Sequence, residues 1–159
     1  MRNIAVVGTG VIGTGWVARF LARGHRVSAW DPADSFAERL HAEIERLWPT
    51  LERSGTSDAA SPENLTCVTE LDEACSNAEL IQESVPENLD IKRNVHTSLN
   101  SACDKTAVIA SSSSGLLPTD IQTVHDHPER MLIGHPFNPV YLLPLIEIVP
   151  GQKTSAENL

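Results

Sequence analysis

The chain has 159 residues, enough for one domain with its own core. It carries 21 Asp and Glu against 12 Lys and Arg, a net charge of −9 with no basic stripe, which argues against a nucleic-acid partner. Apolar residues make up 41%, too many for global disorder, yet no apolar run approaches the length of a membrane span. The first strand-like run starts almost at Met1, which leaves no room for a signal peptide. Cys67, Cys75 and Cys103 are widely spaced, and fit incidental thiols in a reducing cytoplasm better than a disulfide frame or zinc site. A cytoplasmic location is expected.

Ile4 to Val7 form a short apolar run of the size of one buried parallel strand. Gly8, Gly10 and Gly13 follow as G-x-G-x-x-G, and Val11 to Arg23 reads as a helix. In such a strand–turn–helix unit the first glycine allows the tight turn. The second leaves room for a pyrophosphate, and the third lets helix and strand approach. Free N–H groups at the helix start attract the phosphates, so Thr9, Val11 and Ile12 are expected beside the cofactor with the glycines. Arg26 to Trp30 is a second strand with Asp31 at its end. A carboxylate there accepts from both adenosine ribose hydroxyls and repels a 2′-phosphate. No arginine follows it closely, which favours NAD over NADP. The plainer alternative is that Asp31 only caps the next helix.

Ser35 to Ser54 is helical in pattern, with Phe36, Leu40, Ile44, Leu47 and Leu51 on one stripe and Pro49 expected to kink or divide it. A Ser/Gly/Pro loop spans Gly55 to Pro62. A short strand over Leu65–Thr69 and one helical turn over Leu71–Cys75 follow. Leu80–Ser84 and Ala107–Ala110 read as strands flanking a helix over Asn88–Ser101. Thr119–Val124 reads as a short helix, Met131–Gly134 as a strand and Leu143–Val149 as the last strand, with Thr154 or Ser155 able to cap a helix from Ala156. The expected fold is α/β: a Rossmann-type, doubly wound, mostly parallel sheet with helices on both faces.

Two residues near the C-terminus point to chemistry. His135 follows a strand end, where functional groups of open α/β sheets collect. Glu147 lies among Leu145, Ile146, Ile148 and Val149, where a carboxylate is costly unless paired. A histidine–glutamate pair resolves that cost, the carboxylate holding the imidazole tautomer while the other ring nitrogen faces substrate. The plainer alternative is an exposed Glu147 and a structural His135. The run Ser111–Ser114 is either a flexible turn or a set of hydroxyls at the nucleotide edge. His25, His41 and His96 read as solvated. His125 and His127 lack a third partner at sensible spacing, so no metal is expected.

ASSSSGLLP, then GHPFNP, then PLIEIV resemble the 3-hydroxyacyl-CoA dehydrogenase family, and the resemblance runs from GTGVIG to the end of the chain. It implies that His135 is the catalytic histidine of H-x-F-N-P and that Glu147 is its partner. It implies that Ser114 touches substrate oxygen and cofactor, and that Asn138, Glu87 and Lys92 border the bound cofactor. The implied reaction is NAD-dependent oxidation of a secondary 3-hydroxyl on a small molecule. The family also has a helical second domain that closes the cleft, makes a homodimer and supplies another catalytic asparagine. Residues 1–150 are thus expected to form the NAD-binding domain and 151–159 the start of a truncated helical domain, the chain alone binding NAD with little or no turnover.

Branches of the family differ in substrate. Acyl-CoA enzymes usually show H-F-F-N-P, whereas Pro136 follows His135 here. QESVPENLD and the serine run resemble the gulonate dehydrogenase and lens-crystallin branch. WVARFLARGH, AWDPA, WPTLE and above all GHPFNPVYLLPLIEIV resemble the carnitine-oxidising branch, although SSSSG departs from that branch's more usual SSTSG. Phe137 and Tyr141 are expected to reach the same cleft as His135 and offer aromatic faces to a quaternary ammonium group. An NAD-binding module without activity of its own, and a structural role, are the alternatives.

Overall fold

The computed structural model describes all residues from Met1 to Leu159. Strands β1 (Asn3–Val7), β2 (Arg26–Trp30), β3 (Leu65–Cys67), β4 (Leu80–Glu83), β5 (Val108–Ser111), β6 (Met131–Pro136) and β7 (Ile146–Pro150) form one sheet in the order β3-β2-β1-β4-β5-β6-β7. The first six run parallel; β7 pairs antiparallel with β6. Strand order reverses between β1 and its neighbours, so a crevice opens at the C-terminal ends of β1 and β4.

The period of two along β1 divides the core. Ala5 and Val7 face the side covered by α3 (Leu71–Cys75), α4 (Leu89–Ala102) and α5 (Pro118–Gln122), where they meet Ile81, Leu99, Ile109 and Ile133. Val6 faces α1 (Val11–Ala22) and α2 (Phe36–Ser54), among Val17, Leu21, Leu40 and Ile44. On that second side the apolar surface of β4 to β7 stays open, as a groove of Leu80, Val108, Leu132, Ile146 and Ile148 flanked by Trp16 and Phe20. No helix is long and apolar enough to cross a membrane.

Helix α2 runs as one element through Pro49, so of the kink or division expected there the division does not occur. Proline removes one N–H, but the buried stripe of Phe36, Leu40, Ile44, Leu47 and Leu51 is anchored on both sides of it. The last strand begins at Ile146 rather than Leu143, since Leu143 to Leu145 form the approach to it. Residues 156–158 make a single 3-10 turn. His96, read as solvated from its helical segment, is fully buried on the inner face of α4.

Gly8 lies at φ +91°, in the left-handed region, and a side chain there would press on the backbone of Ser84 and Val85. A Cβ on Gly13 would overlap the carbonyl of Gly8. Gly13→Ala is therefore expected to cost about 1–3 kcal/mol, the usual range for forced overpacking. Urea unfolding reads this directly, and an unchanged midpoint would contradict the close helix–strand approach.

Candidate active site

The glycine loop joins the end of β1 to α1 and faces the crevice. Gly10 has nothing within 4 Å of where a side chain would begin, so the loop presents bare backbone to open space. The first N–H groups of α1, at Val11 and Ile12, have no partners within a helix by geometry and point the same way. Asp31, at the end of β2, is fixed beside them. Its Oδ2 accepts from Thr9 N at 2.7 Å and Thr9 Oγ1 at 3.0 Å, and its Oδ1 accepts from Ala33 N at 3.0 Å. Lone pairs remain on both oxygens for a ribose diol. An open glycine loop, free helix N–H groups and a carboxylate on one sheet edge fit a dinucleotide. Folding adds one feature that the sequence reading excluded: Arg39, from the first turn of α2, reaches 3.4 Å from Thr9 Oγ1 through Nη2.

The ends of β4 and β5 build the second wall. Glu83 and Lys92 are buried and bonded, Nζ to Oε1, at 2.7 Å. Lys92 also donates to Val85 O at 3.2 Å and lies 3.7 Å from Glu87 Oε2. Glu87 Oε1 accepts from Ser113 Oγ at 2.6 Å, Gly115 N at 2.9 Å and Ser114 N at 3.0 Å. Partial burial opposes the Glu87 charge, but the Ser113 hydroxyl, those amides and Lys92 outweigh it and hold the carboxyl below its ordinary range.

The serine run is thus no flexible turn. Ser111 Oγ donates to Glu83 Oε2 at 2.6 Å. Ser112 Oγ accepts from Gln82 Nε2 at 2.9 Å and Trp16 Nε1 at 3.2 Å and lies 2.8 Å from Ser84 Oγ. Ser113 holds Glu87, and Ser114 lines the cleft.

Behind this wall stands a relay that sequence reasoning missed. His96 Nε2 lies 3.0 Å from Glu83 Oε2, and its Nδ1 lies 2.6 Å from His125 Nε2. Burial, then the neighbouring His96 and the charge of Arg130, lower His125 to about 3. His125 Nδ1 has no partner, so the arrangement that orphans no buried N–H has His125 Nε2–H donating to His96 and His96 Nε2–H donating to Glu83. Burial raises Glu83, but the His96 bond and the Lys92 charge outweigh it and bring the carboxyl down to about 2. One signal could have found the hub. Glu83 ends the strand LIQE that Leu80 and Ile81 mark as buried, a weaker form of the signal at Glu147, since Gln82 and Ser84 flank it.

The third wall is the β6–β7 ladder. Antiparallel register sets His135 directly opposite Glu147, and Nδ1 lies 2.9 Å from Oε2. Both stay solvent-accessible, His135 at 30% and Glu147 at 60% of the side chain. Gly10, Val11, Ile12, Glu87, Lys92, Ser114 and His135 line one cleft of about 360 Å³. Asn138 does not. With Thr9 and Tyr141 it lines a neighbouring cleft of about 350 Å³ that shares Gly10 and Val11. Neither Tyr141 nor Phe137 lines the His135 cleft, although the Phe137 ring stands 6.2 Å from the His135 ring, centroid to centroid. The largest cavity, about 430 Å³, opens at the opposite end of the sheet beside Asn3, Arg26 and Glu63, and holds none of these groups.

A parallel sheet with a glycine loop, an acid after β2 and a histidine–glutamate pair at the same edge defines the cofactor-binding domain of a dehydrogenase. The chain belongs to the family described as 3-hydroxyacyl-CoA dehydrogenase, NAD binding domain, whose model matches residues 3–159. It is 51% identical over 156 residues to an L-carnitine dehydrogenase of Streptomyces coelicolor, a match covering 98% of this chain and 49% of that protein. It is 48% identical over 157 residues to an L-carnitine dehydrogenase of Pseudomonas putida, covering 99% and 49%. Among solved structures, a 3-hydroxybutyryl-CoA dehydrogenase of Escherichia coli superposes with a TM-score of 0.90 at 27% identity, covering 99% of this chain and 34% of that one. An NAD+-dependent 5-formyl-3-hydroxy-2-methylpyridine 4-carboxylic acid 5-dehydrogenase gives 0.90 at 33%, covering 99% and 52%. The chain spans about half the length of the curated relatives it matches.

Proposed function

We propose that this chain is the NAD-binding half of an enzyme that oxidises L-carnitine to 3-dehydrocarnitine. The observation that carries the reading is the His135–Glu147 pair, 2.9 Å apart, in one cleft with Ser114 and the glycine loop. With Nδ1–H donating to the Glu147 carboxylate, the lone pair on His135 Nε2 is left to take the proton of the substrate's 3-hydroxyl. Glu147 then stabilises the imidazolium, and Ser114 Oγ orients the reacting oxygen. Gly8, Thr9, Gly10, Val11, Ile12, Gly13 and Asp31 hold the cofactor, with Glu87, Lys92 and Asn138 bordering it. When bound, NAD supplies the acceptor for the hydride leaving the carbinol carbon.

The substrate reading rests on relatives with that activity in their names and on two features of this chain. The Phe137 ring beside His135 offers a face to a trimethylammonium group. The net charge of −9 favours a cationic head over the polyphosphate of coenzyme A. Residues 1–150 form the cofactor domain in this reading, and 151–159 lead into a helical domain that completes the cleft and a homodimer. The open apolar groove over β4 to β7 supports a covering element of that kind. Three unpaired cysteines support a cytoplasmic setting.

Joined to the second half of a carnitine dehydrogenase, the domain is expected to oxidise L-carnitine faster than 3-hydroxybutyryl-CoA or L-gulonate at equal NAD. Alone it should bind NAD with little turnover, because half the cleft is missing. A tenfold preference for the acyl-CoA, about 1.4 kcal/mol of transition-state discrimination, would overturn the substrate and leave the His135–Glu147 mechanism standing.

A further inference from the structure

Arg39 is the unclaimed cation of the adenosine side. The neighbouring Arg46 is spent on Glu43, at 2.7 Å, whereas no carboxylate lies within ion-pair distance of Arg39. Its side chain is exposed, and its one polar contact is Nη2 donating to Thr9 Oγ1 at 3.4 Å. That hydroxyl in turn donates to Asp31 Oδ2 at 3.0 Å. An acid, a hydroxyl and a guanidinium therefore stand in a row where the adenosine ribose of the cofactor would lie. The preference for NAD cannot then rest on the lack of a cation, because folding brings one to the hydroxyl that bonds the Asp31 carboxylate.

We infer that Arg39 is a latent ligand for a ribose 2′-phosphate, and that only the charge of Asp31 keeps the site closed to NADP. A guanidinium binds phosphate through a planar fork of donors, and this one is free to turn. Asp31 repels the same phosphate. Neutralising it removes the repulsion and leaves the cation in place. Asp31→Asn keeps an acceptor for Thr9 N and Thr9 Oγ1, so the glycine loop retains its anchor. The inference rests on the assignment of the glycine loop and Asp31 to NAD.

Calorimetry of the purified chain with NAD and NADP tests it, using wild type, Asp31→Asn and Asp31→Asn/Arg39→Gln. Wild type should prefer NAD. Asp31→Asn should bind NADP at least tenfold tighter than wild type does, with a gain that shrinks as salt is raised. The double variant should lose that gain. Asp31→Ser, alone and with Arg39→Gln, gives the same comparison if the asparagine variant does not fold. Equal NADP affinity in the single and double variants, with NAD still bound by wild type, would overturn the role of Arg39 alone. A wild-type chain that binds neither nucleotide would overturn the cofactor assignment and this inference with it.

Discussion

On the proposed mechanism, His135→Asn in this chain joined to the second half of a carnitine dehydrogenase is expected to lower kcat by about 10²–10⁴-fold, the usual contribution of a positioned general base. Asparagine fills similar space but has no ring nitrogen to take the proton. Glu147→Gln should act in the same direction, because it keeps an acceptor for Nδ1–H yet removes the charge that stabilises the imidazolium. Neither side chain belongs to the glycine loop or the Asp31 edge, so NAD affinity of the isolated chain should stay within a few-fold of wild type. That split is the diagnostic result. Loss of NAD binding in both variants would point to a structural pair. Turnover by His135→Asn within threefold of wild type would remove His135 as the base. Stability should change little, since the pair is exposed at the sheet edge and exposed ion pairs contribute little.

The largest effect on stability is expected at Lys92. Lys92→Met leaves Glu83, which is wholly buried, without its cation. Removing one partner of a buried pair typically costs about 3–5 kcal/mol. Against a total stability of about 5–15 kcal/mol for a domain, this brings the chain close to unfolding. Lys92→Met combined with Glu83→Gln should recover a large part of the loss, because no uncompensated charge remains. A double variant no more stable than Lys92→Met would show that packing, not charge, sets the cost.

The same hub makes the domain acid-sensitive. Glu83 has its ordinary value of 4.5 lowered to about 2, so the stability it contributes is complete above 4.5 and is lost as pH falls towards 2. His125 is lowered from 6.5 to about 3, so the unfolded chain takes up a proton that the folded chain refuses between those values. Both terms reduce stability on acidification, and that of His125 begins first. Chemical denaturation between pH 6 and 4 should show a slope of up to about 1.4 kcal/mol per pH unit that His125→Gln removes. A slope unchanged by that substitution would mean that His125 is protonated in the folded domain.

Much of the domain was legible in the residues themselves. The run Ile4–Val7, the glycines at 8, 10 and 13 and the helix after them needed only local pattern and turn chemistry, and β1 and α1 stand where that pattern puts them. Asp31 and His135 were legible because the C-terminal ends of parallel strands share one edge whatever the loops do. Local reading stopped where an outcome depended on a distant partner. The His135–Glu147 contact needs β7 to run antiparallel in one particular register, which sequence spacing does not supply. His96 carries the same helical signature whether it faces water or Glu83, and only the packing of α4 on β4 and α5 turned it inward. Arg39 lies eight positions after Asp31, across the turn into α2, and the docking of α2 against the glycine loop made them neighbours through Thr9. Periodicity and turn chemistry act over a few residues and are written in sequence, whereas the pairing of buried charges is set by how whole elements dock.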